Sequence, residues 1–294
     1  MPKSNPNLTR MQIEWTAPCG NSFLAEHWPA DGPVRDVLLC VHGMGGAASD
    51  FHTLAEAAVQ RGISCHALNL RGQGHDPQPA RRGAVLDLEA VARDVQAFGR
   101  EVLAAQPGAR LWVCGESMGA LVVAWMLAHR RFAPSPCGAV FSVPVVALRR
   151  PTPWVVRQIV RLLGRLVPGL RFYPSWFVSG KIEKLRVTRD EAHAERIRNS
   201  PQYIRAFTFR FLAQLSDLMA SSPRLAGDIT TPSLVLAAGQ DVYVRPDQIR
   251  MWFDQLAAPD KTFRIYPEAH HLLWNDWDRE QVMADIFAWM SARP

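Results

Sequence analysis

Apolar positions along the chain are grouped in short continuous runs, and most of these runs precede a segment with helical spacing. Runs such as "DVLLCV" at 36–41 and "SLVLAA" at 233–238 are typical of strands that are buried on both faces of a parallel sheet. Strands that alternate with helices along a chain predict βαβ units. We therefore predict an α/β fold with a mostly parallel central sheet flanked by helices.

The predicted elements begin with a hairpin and then alternate. The hairpin pairs 11–15 with 22–28 around the turn sequence "PCGN". Further strands are predicted at 37–41, 63–70, 111–114, 139–143, 233–239 and 262–266. Helices are predicted at 50–61, 86–105, 246–256 and 276–290, and one more begins at Ser117.

Residues 144–229, which we call the cap segment, interrupt this alternation. The segment is helical in pattern, rich in arginine and aromatic residues, and carries no clear strand pattern. We interpret it as a helical cap inserted between two strands of the sheet. The predicted domain organisation is therefore a core of residues 1–143 and 230–294 with a cap of residues 144–229.

Composition places the chain among ordinary globular proteins, with 48% hydrophobic and 20% charged residues over 294 positions. No apolar run approaches the roughly 20 residues that cross a bilayer, and the stretch "MPKSNPNLTR" lacks the apolar core of a secretory signal. Five cysteines, an odd number, do not form a disulfide framework. Cys40, Cys65 and Cys114 fall in strand runs, where buried free thiols are expected. These features predict a cytoplasmic protein.

The net charge of +6 is concentrated in one segment. Six arginines and no acidic residue lie between Arg149 and Arg171, and the rest of the chain is balanced in charge. The sequence carries no nucleic-acid-binding motif, so we expect no nucleic-acid partner.

The sequence "GESMG" at 115–119 stands where a predicted strand becomes a helix. A sharp strand-to-helix turn strains its central residue, and glycines on both sides avoid collisions with the strand and the helix. Such a turn projects the Ser117 hydroxyl beyond the sheet and leaves backbone amides free at the helix start. Gly115 and Gly119 are the candidate elbow glycines. Because a G-x-S-x-G match arises by chance in about one chain of this size in ten, the motif needs support.

Three further features supply that support. The loop "VHGMGG" follows an earlier strand, and backbone N–H groups of Met44 and Met118 are candidates to bind a developing oxyanion. Asp241 follows a strand in "LAAGQDVYV", and His270 and His271 follow the last strand. The order Ser, Asp, His, each after its own parallel strand, is the order of the α/β-hydrolase fold.

Over nearly its whole length the sequence resembles the monoacylglycerol lipase and lysophospholipase branch of the α/β-hydrolases. The matching stretches are "VHGMGG", "NLRGQGHD", "RRG", "GESMGA", "VTRDEA", "GQDVYV" and "IYPEAHHLL". The branch has a Tyr-x-Gly-Ala-x-His pattern before its last helix, and alignment on Tyr266 and Ala269 puts the catalytic histidine at His271. Glu268 stands where the branch usually has glycine, and 46–48 replaces the Glu-His that many relatives carry.

The resemblance implies a serine carboxylic-ester hydrolase that acts on acyl glycerols, lysophospholipids or similar lipid esters through an acyl-enzyme. In this chemistry His271 takes the proton of Ser117 as the hydroxyl attacks, and Asp241 holds the imidazole and stabilises its cation. No metal-ligand spacing is present, and we expect neither a metal nor a cofactor. Two alternatives stay open: another acyl hydrolase or an acyltransferase with the same three residues, and a ligand-binding receptor of the same fold.

A separate feature is the predicted helix "WVVRQIVRLLGRLV" at 154–167. Arg157, Arg161 and Arg165 recur every four residues and form one stripe, with apolar residues at most other positions. One interpretation is a cap helix that packs on the domain and exposes its arginines to solvent. The other is an interfacial helix that makes peripheral contact with a membrane surface.

The cap segment also contains large aromatic residues, which we expect either to form its own core or to line an acyl-chain pocket above Ser117. These residues are Trp154, Phe172, Tyr173, Trp176, Phe177, Phe207, Phe209 and Phe211.

Overall fold

The computed structural model describes residues 10–173 and 186–293. Within them, eight strands form one sheet and two short strands form a separate ladder. In chain order the strands are β1 (Met11–Thr16), β2 (Ser22–Trp28), β3 (Asp36–Val41), β4 (Ile63–Leu68), β5 (Arg110–Glu116), β6 (Gly138–Ser142), β7 (Arg171–Phe172), β8 (Phe207–Thr208), β9 (Ser233–Ala238) and β10 (Lys261–Tyr266). The order across the large sheet is β1-β2-β4-β3-β5-β6-β9-β10.

Helices occupy most of the connections between the strands. In the described part of the chain they are α1 (His52–Val59), α2 (Leu88–Ala104), α3 (Met118–Ala128), α4 (Trp154–Leu166), α5 (Glu191–Asn199), α6 (Phe209–Ala226), α7 (Pro246–Asp254) and α8 (Arg279–Ser291). Short 3₁₀ turns are found at Ala48–Phe51, Pro79–Arg81 and Leu273–Asn275. The start of α2 illustrates how sequence sets a boundary, because the Asp87 carboxylate accepts a hydrogen bond from the amide of Ala90 at 3.0 Å.

The large sheet is parallel over six neighbouring strands, and β1 and β2 add an antiparallel hairpin at one edge. Strands β6 and β9 are buried at every residue, which explains their largely apolar sequences, and β4 is equally buried although it contains Ser64 and His66. Because parallel strands end at the same edge, the loops after β3, β5, β9 and β10 meet there. The predicted parallel sheet flanked by helices is confirmed.

Several predicted bounds differ by one or two residues from those of the structure, and two differences are larger. Helix α8 begins at Arg279 and not at 276, because the chain before it forms the 3₁₀ turn Leu273–Asn275. In the cap segment, β7 pairs with β8 as an antiparallel ladder, although no strand was predicted there. Each of these strands has two residues, too few to produce the alternation by which a strand is recognised.

Helix α4 of the cap segment packs against α6. A side chain at Gly164 would come within 2.9 Å of the Arg210 backbone, so the glycine permits the close approach of the two helices. Arg161 of α4 forms an ion pair with Asp217 of α6. The side of α4 that faces the protein is therefore the side that carries Arg161 and the glycine.

The other side of α4 is apolar and open to solvent. The exposed fraction is 65% for Trp154 and 71% for Leu166. Further exposed apolar residues of the helix are Val155, Val156, Ile159 and Leu162. This arrangement is the reverse of a cap helix that buries its apolar side on the domain. Across the described ranges, no helix has the length and apolar character needed to cross a membrane.

Candidate active site

Ser117 is the single residue between β5 and α3. Its backbone has φ 56° and ψ −117°, a conformation that strains any residue other than glycine. Its amide donates a hydrogen bond to the carbonyl of Ser142 at 2.9 Å, which ties the turn to β6. A Cβ built on Gly43 would come within 3.7 Å of the Ser117 Oγ, so the turn lies directly beside the loop that follows β3.

Gly115 and Gly119 flank this turn at positions where no side chain fits. A Cβ built on Gly115 would lie 2.6 Å from the carbonyl oxygen of Gly119. A Cβ built on Gly119 would collide with the carbonyl oxygen of Val41. Both obstacles are backbone atoms of packed elements, so the turn requires glycine at each position.

Asp241 and His271 form a buried pair at the same edge of the sheet. Nδ1 of His271 donates a hydrogen bond to Oδ2 of Asp241 at 2.6 Å. Oδ1 of Asp241 accepts hydrogen bonds from the amides of Tyr243 at 2.6 Å and Val244 at 3.1 Å. The Tyr243 ring also meets the His271 ring edge-on, with centroids 4.8 Å apart. These contacts fix one orientation of the imidazole.

The loops after β9 and β10, which carry this pair, are joined through their backbones. The amide of Gly239 donates to the carbonyl of Tyr266 at 2.8 Å, and the amide of Gln240 donates to the carbonyl of Ala269 at 2.9 Å. The relative position of the two loops is therefore set by backbone groups and does not depend on the side chains that they present.

The adjacent histidines face different partners. His271 lines the pocket with Ser117, whereas the backbone amide of His270 donates to Oδ2 of the buried Asp276 at 2.6 Å. The His270 Nδ1 lies 3.6 Å from the same carboxylate. His270 therefore packs against the outer side of the loop.

The "VTRDEA" stretch of the cap segment is bonded to the same loop, the one that carries the two histidines. The amide of Leu272 donates to the carbonyl of Val187 at 2.9 Å. Arg189 forms an ion pair with Asp276 at 3.0 Å. This part of the cap segment therefore positions the loop that carries the histidines.

The loop after β3 brings Met44 to the pocket that Ser117 lines. The Met44 amide donates to no described residue, whereas the next amide, that of Gly45, donates to Oε1 of Gln73 at 2.7 Å. Met118 also lines the pocket and is the first residue of α3, where amides lack partners within the helix. Both candidate amides are therefore available to a ligand.

His42 stabilises the loop after β3 through two hydrogen bonds of its buried ring. Its Nδ1 donates to the carbonyl of Gly43 at 2.9 Å, and its Nε2 accepts a hydrogen bond from the amide of Leu70 at 3.0 Å. Burial lowers the pKa of His42 to about 4, so the ring is neutral at physiological pH. A neutral ring is what the second hydrogen bond requires, because Nε2 must accept.

The rest of the pocket wall is largely aliphatic. It is formed by Val145, Leu148, Val187, Ile197, Leu215, Met219 and Leu272. Most of these residues belong to the cap segment, so that segment contributes apolar surface to the pocket that Ser117 lines.

The large aromatic residues of the cap segment have other positions. Trp154 is exposed, and Phe207 and Phe211 are buried against each other with ring centroids 4.9 Å apart. None of the described aromatic residues of this set is in the pocket wall, and of the two expected roles Phe207 and Phe211 have the one in the core. Trp176 and Phe177 lie outside the described residues.

Sequence reasoning missed a group of polar residues in the same pocket. They are Asp50, Glu116, Tyr203 and Tyr243. Burial and the nearby charge of Asp50 raise the pKa of Glu116 well above its usual value, and burial raises the pKa of Asp50 to about 6. The detectable signal was Glu116, a carboxyl group that directly precedes Ser117 in an otherwise apolar stretch. Asp50 and Tyr203 come from distant parts of the chain and gave no such signal.

Known proteins have similar sequences and folds. The chain is 24% identical to a monoacylglycerol lipase of Mycolicibacterium smegmatis over 286 residues, which cover 96% of this chain and 97% of that protein. It is 26% identical to the phospholipase YtpA of Bacillus subtilis over 87% of this chain and 94% of that protein. The structure of a soluble variant of Saccharomyces cerevisiae monoglyceride lipase has a TM-score of 0.83 at 19% identity, covering 99% of this chain and 97% of that chain.

The fold and the site together define an α/β-hydrolase. The family described as serine aminopeptidase, S33 (Hydrolase_4) matches residues 32–278, which is most of the chain. The chain belongs to this family, and it is a serine hydrolase. The resemblance to monoacylglycerol lipases drawn from the sequence motifs is confirmed.

Proposed function

We propose that the protein is a carboxylic-ester hydrolase in which Ser117 is the nucleophile, His271 the general base and Asp241 the partner of that base. The observation that carries the proposal is the meeting of a strained serine turn and a buried His–Asp pair at one edge of the sheet. A serine hydroxyl is a weak nucleophile unless a neighbouring base removes its proton. The available amides of Met44 and Met118 complete the set as an oxyanion hole.

The first half of the reaction forms an acyl-enzyme. Nε2 of His271 takes the proton of Ser117 while Oγ attacks the ester carbonyl carbon, and the carbonyl oxygen becomes an oxyanion. The Met44 and Met118 amides donate hydrogen bonds to this oxyanion. The intermediate collapses, the ester C–O bond breaks, and His271 passes its proton to the departing alcohol. Asp241 remains ionised and stabilises the imidazolium.

The second half of the reaction returns the enzyme to its starting state. His271 removes a proton from water, the hydroxide attacks the acyl carbon, and the carboxylic acid leaves as the proton returns to Ser117. An alcohol in place of water would yield a new ester, which is the acyltransferase alternative. Product analysis in the presence of added alcohol separates the two, and a receptor of the same fold would bind esters without turnover.

For the substrate we propose a lipid ester, either an acyl glycerol or a lysophospholipid. The aliphatic wall that includes Leu148, Leu215 and Met219 provides apolar surface for an acyl chain next to Ser117. The relatives described as monoacylglycerol lipase and phospholipase support the same substrate class. In this proposal residues 144–229 act as a cap over the core of 1–143 and 230–294.

We also propose that α4 makes peripheral contact with a membrane surface. Four exposed apolar residues recur on one side of the helix, at Val155, Ile159, Leu162 and Leu166. Arg157 and Arg165 are exposed on the same helix. An apolar stripe beside basic residues is the arrangement by which interfacial helices bind anionic lipid.

Replacement of the nucleophile tests the enzymatic proposal. The Ser117→Ala variant is expected to keep its fold, measured by circular dichroism, and to lose ester hydrolysis by on the order of 10⁴-fold or more. A fluorophosphonate probe is expected to label the native protein at Ser117 and to leave the variant unlabelled. Labelling at another residue, or activity that survives the substitution, would refute the assignment.

A further inference from the structure

The pocket beside Ser117 has an acidic corner that the proposed mechanism does not use. Glu116 is 2% exposed, and its Oε1 accepts no hydrogen bond from any described residue. Asp50 lines the same pocket and accepts a hydrogen bond from the amide of Ala47 at 2.9 Å through Oδ2. The two carboxyl groups are close enough for the charge of Asp50 to raise the pKa of Glu116.

This corner contains no compensating positive charge. Among the described residues of the pocket wall there is no lysine or arginine. His193 is in the wall as well, but burial lowers its pKa to about 4, so it is neutral at physiological pH. A buried carboxyl oxygen without a donor is costly, because it has lost its water and gained no partner. A ligand that brings a hydrogen-bond donor would satisfy it.

The division of the pocket indicates which part of the substrate would bring that donor. Leu148, Leu215 and Met219 belong to an aliphatic wall, where a hydroxyl group would find no partner. Glu116, Asp50 and the nucleophile line one pocket, so the acidic corner lies in the same cavity as the scissile bond of a bound ester. An acyl chain matches the aliphatic wall, and the alcohol portion of the ester matches the acidic corner.

We propose that Glu116 and Asp50 form a subsite for free hydroxyl groups on the alcohol portion of the substrate, and that the same subsite rejects an alcohol that bears a phosphate. Carboxyl groups accept hydrogen bonds from hydroxyls. A phosphate carries negative charge, and the Asp50 carboxylate, which is ionised above its pKa of about 6, repels it. The inference rests on the proposed esterase function and narrows its substrate to uncharged, hydroxyl-bearing esters such as acyl glycerols.

The test compares three esters with the same acyl chain, at concentrations below their aggregation limits. They are the monoacylglycerol, the methyl ester, which has no free hydroxyl, and the lysophosphatidate, in which glycerol carries a phosphate. In the wild-type enzyme the kcat/KM for the monoacylglycerol is expected to exceed that for the methyl ester by about tenfold, the effect of one well-formed hydrogen bond to an acidic group. The lysophosphatidate is expected to be the poorest of the three. A wild-type enzyme that hydrolyses all three equally well would overturn the inference.

Variants then assign the preference to the acidic corner. Glu116→Ala is expected to lower the ratio of kcat/KM for the monoacylglycerol over the methyl ester at least fivefold, whereas general damage to the site would lower both values together. Glu116→Gln keeps a carbonyl acceptor in place of the carboxyl group, so it is expected to retain the hydroxyl preference that Glu116→Ala loses. Asp50→Asn removes the negative charge of the corner and is expected to raise kcat/KM for the lysophosphatidate relative to wild type.

The control is Asp94→Asn, since Asp94 is another buried acid but pairs with Arg71 at 2.8 Å and is absent from the pocket wall. Its ratios are expected to equal those of wild type. A Glu116→Ala enzyme with unchanged ratios would overturn the assignment. Failure of the esterase proposal would look different, because hydrolysis would then be absent or independent of Ser117.

Discussion

Nδ1 of His271 lies 2.6 Å from Oδ2 of Asp241, and both side chains are buried. The bond decides which ring nitrogen carries the proton. The proton stays on Nδ1 and is hydrogen-bonded to the carboxylate. Nε2 is therefore unprotonated, and its electron pair can accept the proton of a nucleophile. The pair therefore holds the histidine in the form that the proposed mechanism requires.

An Asp241→Asn variant tests this relationship. Oδ1 is held by the amides of Tyr243 and Val244, so the amide oxygen of asparagine is expected to stay there and its NH₂ group to face His271. A donor at that place forces the ring proton to Nε2, which is the wrong tautomer. We expect kcat for a nitrophenyl ester to fall on the order of 10⁴-fold with little change in melting temperature. A loss below tenfold would contradict the assigned role.

The two adjacent histidines provide an internal comparison. His271 is in the pocket wall and bonds to Asp241, whereas His270 packs against Asp276. We expect His271→Ala to lower kcat by at least 10³-fold and His270→Ala to lower it less than tenfold. Steady-state kinetics on one short ester measures both. Equal losses in the two variants would mean that the loop after β10 was aligned with the wrong histidine.

Much of the core fold is predictable from sequence because its signals are local. Strands such as β6 and β9 are buried on both faces and therefore read as unbroken apolar runs. Gly115 and Gly119 can be recognised for a related reason. A side chain at Gly115 would collide with the backbone of α3, and one at Gly119 would collide with the backbone of Val41. Where backbone geometry demands a residue type, the sequence shows it.

The acidic corner of the pocket and the orientation of α4 cannot be predicted from the sequence in this way. Asp50 and Glu116 are far apart in the chain and meet only because β3 and β5 are neighbours in the sheet. The apolar spacing of α4 is the same whether that side is buried or exposed. What decides its orientation is a tertiary contact, the close approach at Gly164 with the ion pair between Arg161 and Asp217.

The stability of the protein is expected to fall on acidification through His42. Its folded pKa of about 4 lies below the value of 6.5 for an unperturbed histidine. Between these values the unfolded chain binds a proton that the folded protein does not, so stability that is present above pH 6.5 is lost as the pH falls toward 4. From pH 7 to pH 5 the contribution of this one residue is about 2 kcal/mol.

A His42→Asn variant isolates that contribution, since other titrating groups act equally in both proteins. Urea unfolding at pH 7 and pH 5 is expected to show a loss of free energy of unfolding about 2 kcal/mol larger in wild type than in the variant. If the variant does not fold, the titration of wild-type His42 followed by NMR replaces it. A pKa near 6.5 for His42 in the folded protein would contradict the prediction.

The exposed side of α4 leads to the last prediction, which separates apolar from electrostatic contributions to membrane binding. Substitution of Ile159, Leu162 and Leu166 by serine removes apolar side chains that are otherwise open to solvent. We expect it to weaken sedimentation with phospholipid vesicles at both low and high salt, because burial of apolar area does not depend on ionic strength. The melting temperature is expected to stay the same or rise, since these side chains are not part of the core.

The basic residues of α4 are expected to act differently from the apolar ones. Arg161 is engaged with Asp217, so the relevant variant replaces Arg157 and Arg165 by glutamine. Each arginine near an anionic surface contributes about 1 kcal/mol, so the double variant should bind anionic vesicles about 30-fold more weakly at low salt and about as well as wild type at high salt.

The control is a double substitution of Arg93 and Arg100, which are exposed on α2. It removes the same charge elsewhere on the protein and is expected to leave vesicle binding unchanged. Because none of these positions belongs to the pocket wall, hydrolysis of a short soluble ester serves as the activity control. Wild-type protein that does not sediment with anionic vesicles at low salt would refute membrane docking by α4.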